Sequence, residues 1–310
     1  MTSYDALLLV SFGGPEGPGD VIPFLENVTR GRNVPRERLA VVGEHYMLFG
    51  GVSPINGHCR ALKAAIEADF AAHGLDLPVY WGNRHWDPFL ADAVRAMRDD
   101  GIRRAAAFVT SAYSGYSACD QYVEAIERAR AEVPGAPEIE KLPVYYDRPG
   151  FVEPLVDAVR AALAELPAHL RAGAPLAFTA HSVPLAQPGR ETYAAELAVV
   201  AARVAERAAP GHPWELVYQS RSGPPSQPWL EPDVGDHLER LHNAGHDAVV
   251  VVPVGFVSDH MEVKYDLDVQ AADVADKLGL AFVRAATPGA DPRFATLPRT
   301  LLADRTGDDR

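Results

Sequence analysis

The sequence predicts an α/β protein of two domains, each a parallel sheet flanked by helices. Three observations carry this. Short apolar runs of strand length alternate with longer stretches of helical period, the pattern of β–α–β units. At 310 residues the chain is too long for one small core and comfortable for two. The halves also look alike. Ala6-Leu-Leu-Leu-Val-Ser-Phe-Gly-Gly-Pro and Pro175-Leu-Ala-Phe-Thr-Ala-His-Ser-Val-Pro are each an apolar strand, a small-residue loop and a proline. Ala105-Ala-Ala-Phe-Val-Thr-Ser-Ala-Tyr-Ser and Val249-Val-Val-Val-Pro-Val-Gly-Phe-Val-Ser match in the same loose way, so a duplication with a cleft between the halves is the expectation.

Taken in order, strands are expected at 6–11, 78–82 and 105–110, then at 175–179, 215–219, 248–254 and 280–283. Helical periodicity covers 21–29, 57–72, 89–99, 121–133, 151–166, 193–208, 233–243 and 259–278. Pro143, Pro149 and Gly150 mark 141–150 as the crossover. This places domains at 1–143 and 144–286, followed by a segment 287–310 that is Pro-rich, then charged, with a short closing helix near 294–302.

Composition narrows the function. Hydrophobic residues make up 47% and charged residues 23%, as in an ordinary globular protein. A net charge of −13 argues against nucleic acid or an anionic membrane surface as partner, and obliges any anionic ligand to meet a local basic cluster. Cys59 and Cys119 have no metal-binding spacing and read as reduced thiols. No basic leader precedes the short run 6–10, and no stretch is long enough to span a membrane, so a cytoplasmic protein is expected.

Two residues stand out. His181 and Glu262 each follow a buried-strand run, and the ends of such strands are where ligands bind in open α/β sheets. An imidazole and a carboxylate facing one site can move protons and hold a divalent metal. Ser258 is a suitable N-cap for a helix starting at Asp259, which puts Asp259, Glu262 and Asp266 on one face with Gln270 continuing the stripe. Acidic residues in a first turn also simply complement the helix dipole, and a lone histidine after a strand is often a structural hydrogen bonder. A hydrolase with Ser182 as nucleophile is disfavoured, because Gly-x-Ser-x-Gly is missing and Pro184 sits where the helix should begin.

The loop Phe12-Gly-Gly-Pro-Glu-Gly-Pro-Gly is neither a dinucleotide fingerprint nor a phosphate loop; its glycines can let a flat ligand approach the backbone. Arg30 and Arg32, just after a helix, can pair with ligand carboxylates or merely end that helix in solvent. The stretch 45–54, with His45 and Tyr46, is apolar for a loop and reads as the lip of an aromatic pocket or as core.

With these motifs in hand the chain resembles the ferrochelatases, which insert ferrous iron into a porphyrin. The resemblance rests on Leu8-Leu-Val-Ser-Phe-Gly-Gly-Pro, Gly50-Gly-Val-Ser-Pro, Thr179-Ala-His-Ser-Val-Pro, Tyr218-Gln-Ser-Arg-Ser-Gly with Trp229-Leu-Glu-Pro, and Pro253-Val-Gly-Phe-Val-Ser-Asp-His-Met-Glu-Val-Lys-Tyr-Asp, in family order over nearly the whole chain. It implies two Rossmann-like domains around a porphyrin cleft, with the C-terminal segment returning to the first domain. It further implies His181 and Glu262 as catalytic and metal-site residues, with Asp259 and Asp266 on an outer metal path. Ser53, Tyr122, Phe12, Arg30, His45 and Tyr46 are the implied porphyrin contacts. Neutral His181 is expected to accept pyrrole protons.

The short form looks most like the bacterial, actinobacterial-type coproporphyrin III enzymes, monomeric lyases whose product, coproheme, is the penultimate compound of a heme pathway. A protoporphyrin IX enzyme, a chelatase for another metal and tetrapyrrole, and a non-catalytic porphyrin or heme carrier remain as alternatives. Iron is then a substrate with no tightly bound cofactor, no iron–sulfur cluster is expected, and neighbouring heme-pathway enzymes are possible transient partners. The sequence departs from relatives at three points. Phe12 replaces a tyrosine that ligates the product iron in several of them, two cysteines cannot supply a four-cysteine cluster, and Gln270 replaces an acid of the stripe.

Overall fold

The computed structural model describes residues 4–32, 34–223 and 226–306. Residues 307–310, the charged end of the expected C-terminal segment, lie outside the described residues. The chain divides into two compact units, one of 1–110, 120–143 and 290–310 and the other of 111–119 and 144–289. Residues 111–119 therefore cluster with the second unit although the expected boundary left them in the first.

The first unit is built on a parallel sheet of β1 (Ala6–Ser11), β2 (Val79–Asn83), β3 (Arg104–Val109) and β4 (Glu138–Lys141) in the order β2-β1-β3-β4. The second repeats the plan with β5 (Leu176–His181), β6 (Trp214–Gln219), β7 (Ala248–Val252) and β8 (Ala281–Arg284) in the order β6-β5-β7-β8. The equivalence expected of the 6–15 and 175–184 stretches is thus an equivalence of β1 with β5, and of β3 with β7.

Central strands buried on both faces should be apolar without alternation. β1 and β7 obey this, with Leu7, Leu8, Leu9 and Val10 and all of Val249 to Val252 at 0% exposure. Each such side chain contributes about 1.5–3 kcal/mol relative to leaving it in water. Alternate residues serve opposite faces. Leu8 and Val10 pack with Val94 and Met97 of helix Leu90–Asp99 and Ile126 of helix Gln121–Ala131. In the second unit Ala177, Val249 and Val251 meet Leu238, Val263, Leu267 and Ala275. The C-terminal helices belong to the first unit's core, where Phe294 lies 6.0 Å from Phe108 and Arg299 pairs with Asp69 of helix Ile55–Ala72 at 2.8 Å.

One strand and one α-helix escaped the sequence reading. β4 is a short edge strand, Glu-Ile-Glu-Lys, in which only Ile139 is buried, and charge at an edge masks the strand signal. Helix Arg36–Met47 buries only Leu39 and Gly43 while Val41 and Met47 face out, so its apolar residues trace no single face. His45 and Tyr46 are therefore helical, and Tyr46 packs on the core cluster of Val21, Phe24, Leu25 and Leu39 while Met47, Leu48 and Val52 are exposed. Among the described residues no helix is long and apolar enough to cross a membrane.

Candidate active site

The chain leaves β5 first for β6 on one side and later for β7 on the other, so β5 and β7 flank a switch point of the sheet. His181 is the last residue of β5, and Glu262 lies on the short helix Met261–Tyr265 that follows β7. That helix is capped by His260, whose extended backbone (φ −147°) ends the preceding turn and whose Nδ1 accepts from the Glu262 N–H at 3.2 Å. Ser258 is not the cap, and Asp259 falls outside the helix. At Gly255 the loop after β7 closes on β5, where a Cβ would stand 2.6 Å from the Ala180 Cβ.

His181 Nε2 lies 3.4 Å from Glu262 Oε1. The other ring nitrogen, Nδ1, donates to the Ser182 carbonyl at 2.5 Å, which fixes the ring and aims Nε2 at the carboxylate. The Tyr193 hydroxyl donates to the His181 carbonyl at 3.2 Å, and the Gln219 amide donates to the Glu262 carbonyl at 2.9 Å. Both backbones are therefore held. Ser182 is 2% exposed and gives its hydroxyl to the Leu230 carbonyl, which removes it as a nucleophile.

Burial disfavours a charged imidazole at His181, but the Glu262 charge and hydrogen bond outweigh it and raise the pKa to about 9. Burial likewise raises Glu262, yet His181 overrides it and holds the carboxyl down at about 2. Both shifts favour imidazolium and carboxylate over the neutral imidazole expected from the sequence. With 33% and 49% of their side chains exposed, His181 and Glu262 remain open to a ligand.

The expected acidic stripe is divided. Asp266 accepts a hydrogen bond from Ser220, whose φ of 62° is left-handed backbone for a non-glycine residue. Burial raises the Asp266 carboxyl to about 6 despite that hydrogen bond, with the Glu262 charge adding to the rise. Asp259 points elsewhere. Arg284, at the end of β8, donates to Asp259 at 2.9 Å and to Asp268 at 3.1 Å, and Thr287 donates to Asp259 at 3.0 Å. Asp259 is thus a structural acid, correcting the outer path assigned to it. Between Asp266 and Ala271 the helix takes a wide i→i+5 turn, which breaks the 3.6-residue count that placed Gln270 on the stripe. Among the described residues no group of three or more His, Cys, Asp or Glu side chains could hold a metal ion.

Arg284 clamps the residues before and after the Glu262 turn, with its side chain only 14% exposed. Arg284→Met leaves the largely buried Asp259 without its cation, while Asp268 keeps only its pairing with Lys264. A loss of about 3 kcal/mol is expected, the scale for breaking a buried ion pair, and is read by urea unfolding.

The remaining expected contacts lie in the first unit. Phe12 follows β1 and packs with Phe24 at 6.2 Å and His85 at 4.5 Å between ring centroids, while Tyr46 lies 5.9 Å from Phe24. Ser53 is 4% exposed, and its N–H donates to the Pro15 carbonyl at 2.8 Å. Gly13 and Gly14 of this loop are packed closely, since a Cβ at Gly13 would lie 2.8 Å from the Asn83 Cβ and one at Gly14 2.6 Å from the Ser53 Cβ, while Gly17 and Gly19 border open space. Tyr122 is 6% exposed, with the Arg84 guanidinium 4.7 Å over its ring. Arg30 is exposed and donates to Asn27 at 2.5 Å, and burial lowers the pKa of His45. Gln219, Ser220, Tyr193 and Arg284 were not singled out from the sequence. For Gln219 and Ser220 the signal was the Tyr218-Gln-Ser-Arg-Ser-Gly motif, quoted without a role.

Known proteins bear on this geometry. The ferrochelatase family model matches residues 4–305. The chain is 56% identical to the coproporphyrin III ferrochelatase of Streptomyces coelicolor, over 99% of this chain and 87% of that one. It is 58% identical to the coproporphyrin III ferrochelatase of Mycolicibacterium smegmatis, over 97% and 89%. Among solved structures, the sirohydrochlorin chelatase SirB from Bacillus subtilis subspecies spizizenii in complex with cobalt is similar with a TM-score of 0.56 at 13% identity, covering 97% of each chain. At that identity the likeness speaks for the two-sheet α/β chelatase fold alone. The match along the whole described chain, with His181 and Glu262 meeting at the sheet's switch point, leads to one conclusion: this chain belongs to the ferrochelatase family.

Proposed function

We propose that this protein is a lyase that inserts ferrous iron into coproporphyrin III to give coproheme, a step of heme biosynthesis. The observation that carries the reading is the His181–Glu262 pair, 3.4 Å apart, in a family member. The porphyrin is named by the relatives, which are coproporphyrin III ferrochelatases at 54–58% identity.

Metal insertion exchanges two pyrrole protons for one dication. Glu262 and His181 supply the two functions this needs. The carboxylate attracts the cation, and Nε2 is the atom that gives up and takes protons. Divalent iron arriving at Glu262 weakens the carboxylate's hold on the imidazolium proton. That proton passes to solvent, and the freed Nε2 lone pair then accepts the two pyrrole protons in turn, releasing the first before it takes the second. Asp266, raised to about 6 and hydrogen-bonded by Ser220, is a nearby second acceptor for protons on their way out.

Phe12, Arg30, His45, Tyr46, Ser53 and Tyr122 are the porphyrin contacts in this reading. Iron is a substrate, with no resident cofactor or iron–sulfur cluster. The enzyme works in the cytoplasm as a monomer, in passing contact with neighbouring enzymes of the pathway. Steady-state assay of the purified chain with ferrous iron, comparing coproporphyrin III with protoporphyrin IX, tests the reading. Faster iron insertion into coproporphyrin is expected. Binding without metal-dependent turnover would make the protein a carrier, and a preference for protoporphyrin would reassign the substrate.

A further inference from the structure

Arg84 follows β2 directly and is partly buried. Its guanidinium carbon lies 4.7 Å from the Tyr122 ring centroid and 5.7 Å from that of Phe12. Nη2 donates to the neutral Gln121 Oε1 at 2.9 Å, and the buried Nε has no hydrogen-bond partner among the described residues. None of the ion pairs among the described residues involves Arg84, Arg128, Arg32 or Arg30.

Yet these arginines share one region. Burial lowers the pKa of Arg84, Tyr122 opposes this, and the charges of Arg128 and Arg32 lower it further. The same field reaches His85, where burial and then Arg84, Arg32, Arg128 and Arg30 push the imidazole down to about 3. In a chain of net charge −13, a basic cluster with no carboxylate of its own runs against the prevailing potential. A partly buried cation facing like charges costs stability, and charge left unpaired in this way marks a place where an incoming anion completes the balance.

Resting on the porphyrin reading above, we propose that Arg84, backed by Arg128 and Arg32, is a carboxylate anchor that makes this protein select a porphyrin with four carboxylates over one with two. It adds a specificity determinant to the contacts already named. The flat guanidinium can stack on Phe12 and Tyr122 while it receives a carboxylate edge-on, which an ammonium could not do.

The test is equilibrium binding of metal-free coproporphyrin III and protoporphyrin IX to the full chain, followed by porphyrin fluorescence, for wild type, Arg84→Gln, Arg84→Lys and Arg128→Gln. Wild type should favour coproporphyrin. Arg84→Gln should lose about tenfold to a hundredfold in coproporphyrin affinity, the scale of a charge-assisted hydrogen bond, and much less for protoporphyrin. Arg84→Lys should recover part of the loss. Arg128→Gln changes an exposed side chain, keeps the test alive should Arg84→Gln not fold, and should lose severalfold for coproporphyrin alone. Equal weakening for both porphyrins would make Arg84 a packing residue and overturn the proposal. So would a wild type without preference, or a preference that both glutamine variants keep. Because binding is read without iron, failure of iron insertion alongside intact selectivity would remove the enzymatic reading and leave the anchor standing.

Discussion

His181→Ala is expected to abolish iron insertion while porphyrin still binds. The substitution removes Nε2, the atom 3.4 Å from Glu262 Oε1, and with it the proton acceptor of the proposed exchange. It also removes the cation that holds Glu262 at about 2, so burial then raises that carboxyl and weakens its attraction for iron. General-base catalysis of this kind is worth about 10²–10⁴-fold. Loss of base and metal partner together places the drop in insertion rate toward the upper end. The change in the porphyrin absorption band on adding ferrous iron reads it directly. The backbone of His181 should stay in place, since the Tyr193 hydroxyl bonds its carbonyl and β5 pairs with β6 and β7 on either side. Insertion within a few-fold of wild type would remove His181 from the mechanism.

What the sequence could and could not say follows from the range of each interaction. Buried strands announce themselves through runs such as Leu7 to Val10 and Val249 to Val252, because both faces must be apolar. The positions of His181 and Glu262 followed from those runs, since strand ends of parallel sheets gather ligands. The charge state of the pair did not. A 3.4 Å contact between residues 181 and 262 raises the imidazole pKa, and no local pattern reports such a contact. Asp259 shows the same limit from the other side. At helical spacing from Glu262 it reads as a partner, but Arg284, distant in sequence, claims it and the helix begins only at Met261. The i→i+5 turn at Asp266–Ala271 is likewise invisible to a 3.6-residue count. Arg84 was overlooked because a single arginine after a strand carries no motif; its significance lies in which residues fail to neutralise it.

Glu262→Gln separates the charge of the pair from its shape. The amide fills the same space and can still hydrogen-bond Nε2, but it cannot hold a proton on the imidazole or attract a dication. Iron insertion should fall by more than the 10–100-fold typical of losing a residue that merely supports a metal ligand. The pH response gives an independent check. In the wild type the His181 pKa is raised from an ordinary 6.5 to about 9, so its contribution to stability is complete below 6.5 and is lost as pH rises through 9. The Glu262 pKa is lowered from 4.5 to about 2, so its contribution is present above 4.5 and is lost as pH falls through 2. The melting temperature of wild type should therefore exceed that of Glu262→Gln most clearly between pH 4.5 and 6.5, and the gap should close above about pH 9. Without the carboxylate, burial again works to lower the His181 pKa, so its imidazole resonances should titrate well below 9. A variant whose imidazole still titrates near 9 would show that Glu262 does not hold the proton, and the exchange of that proton for iron would lose its basis.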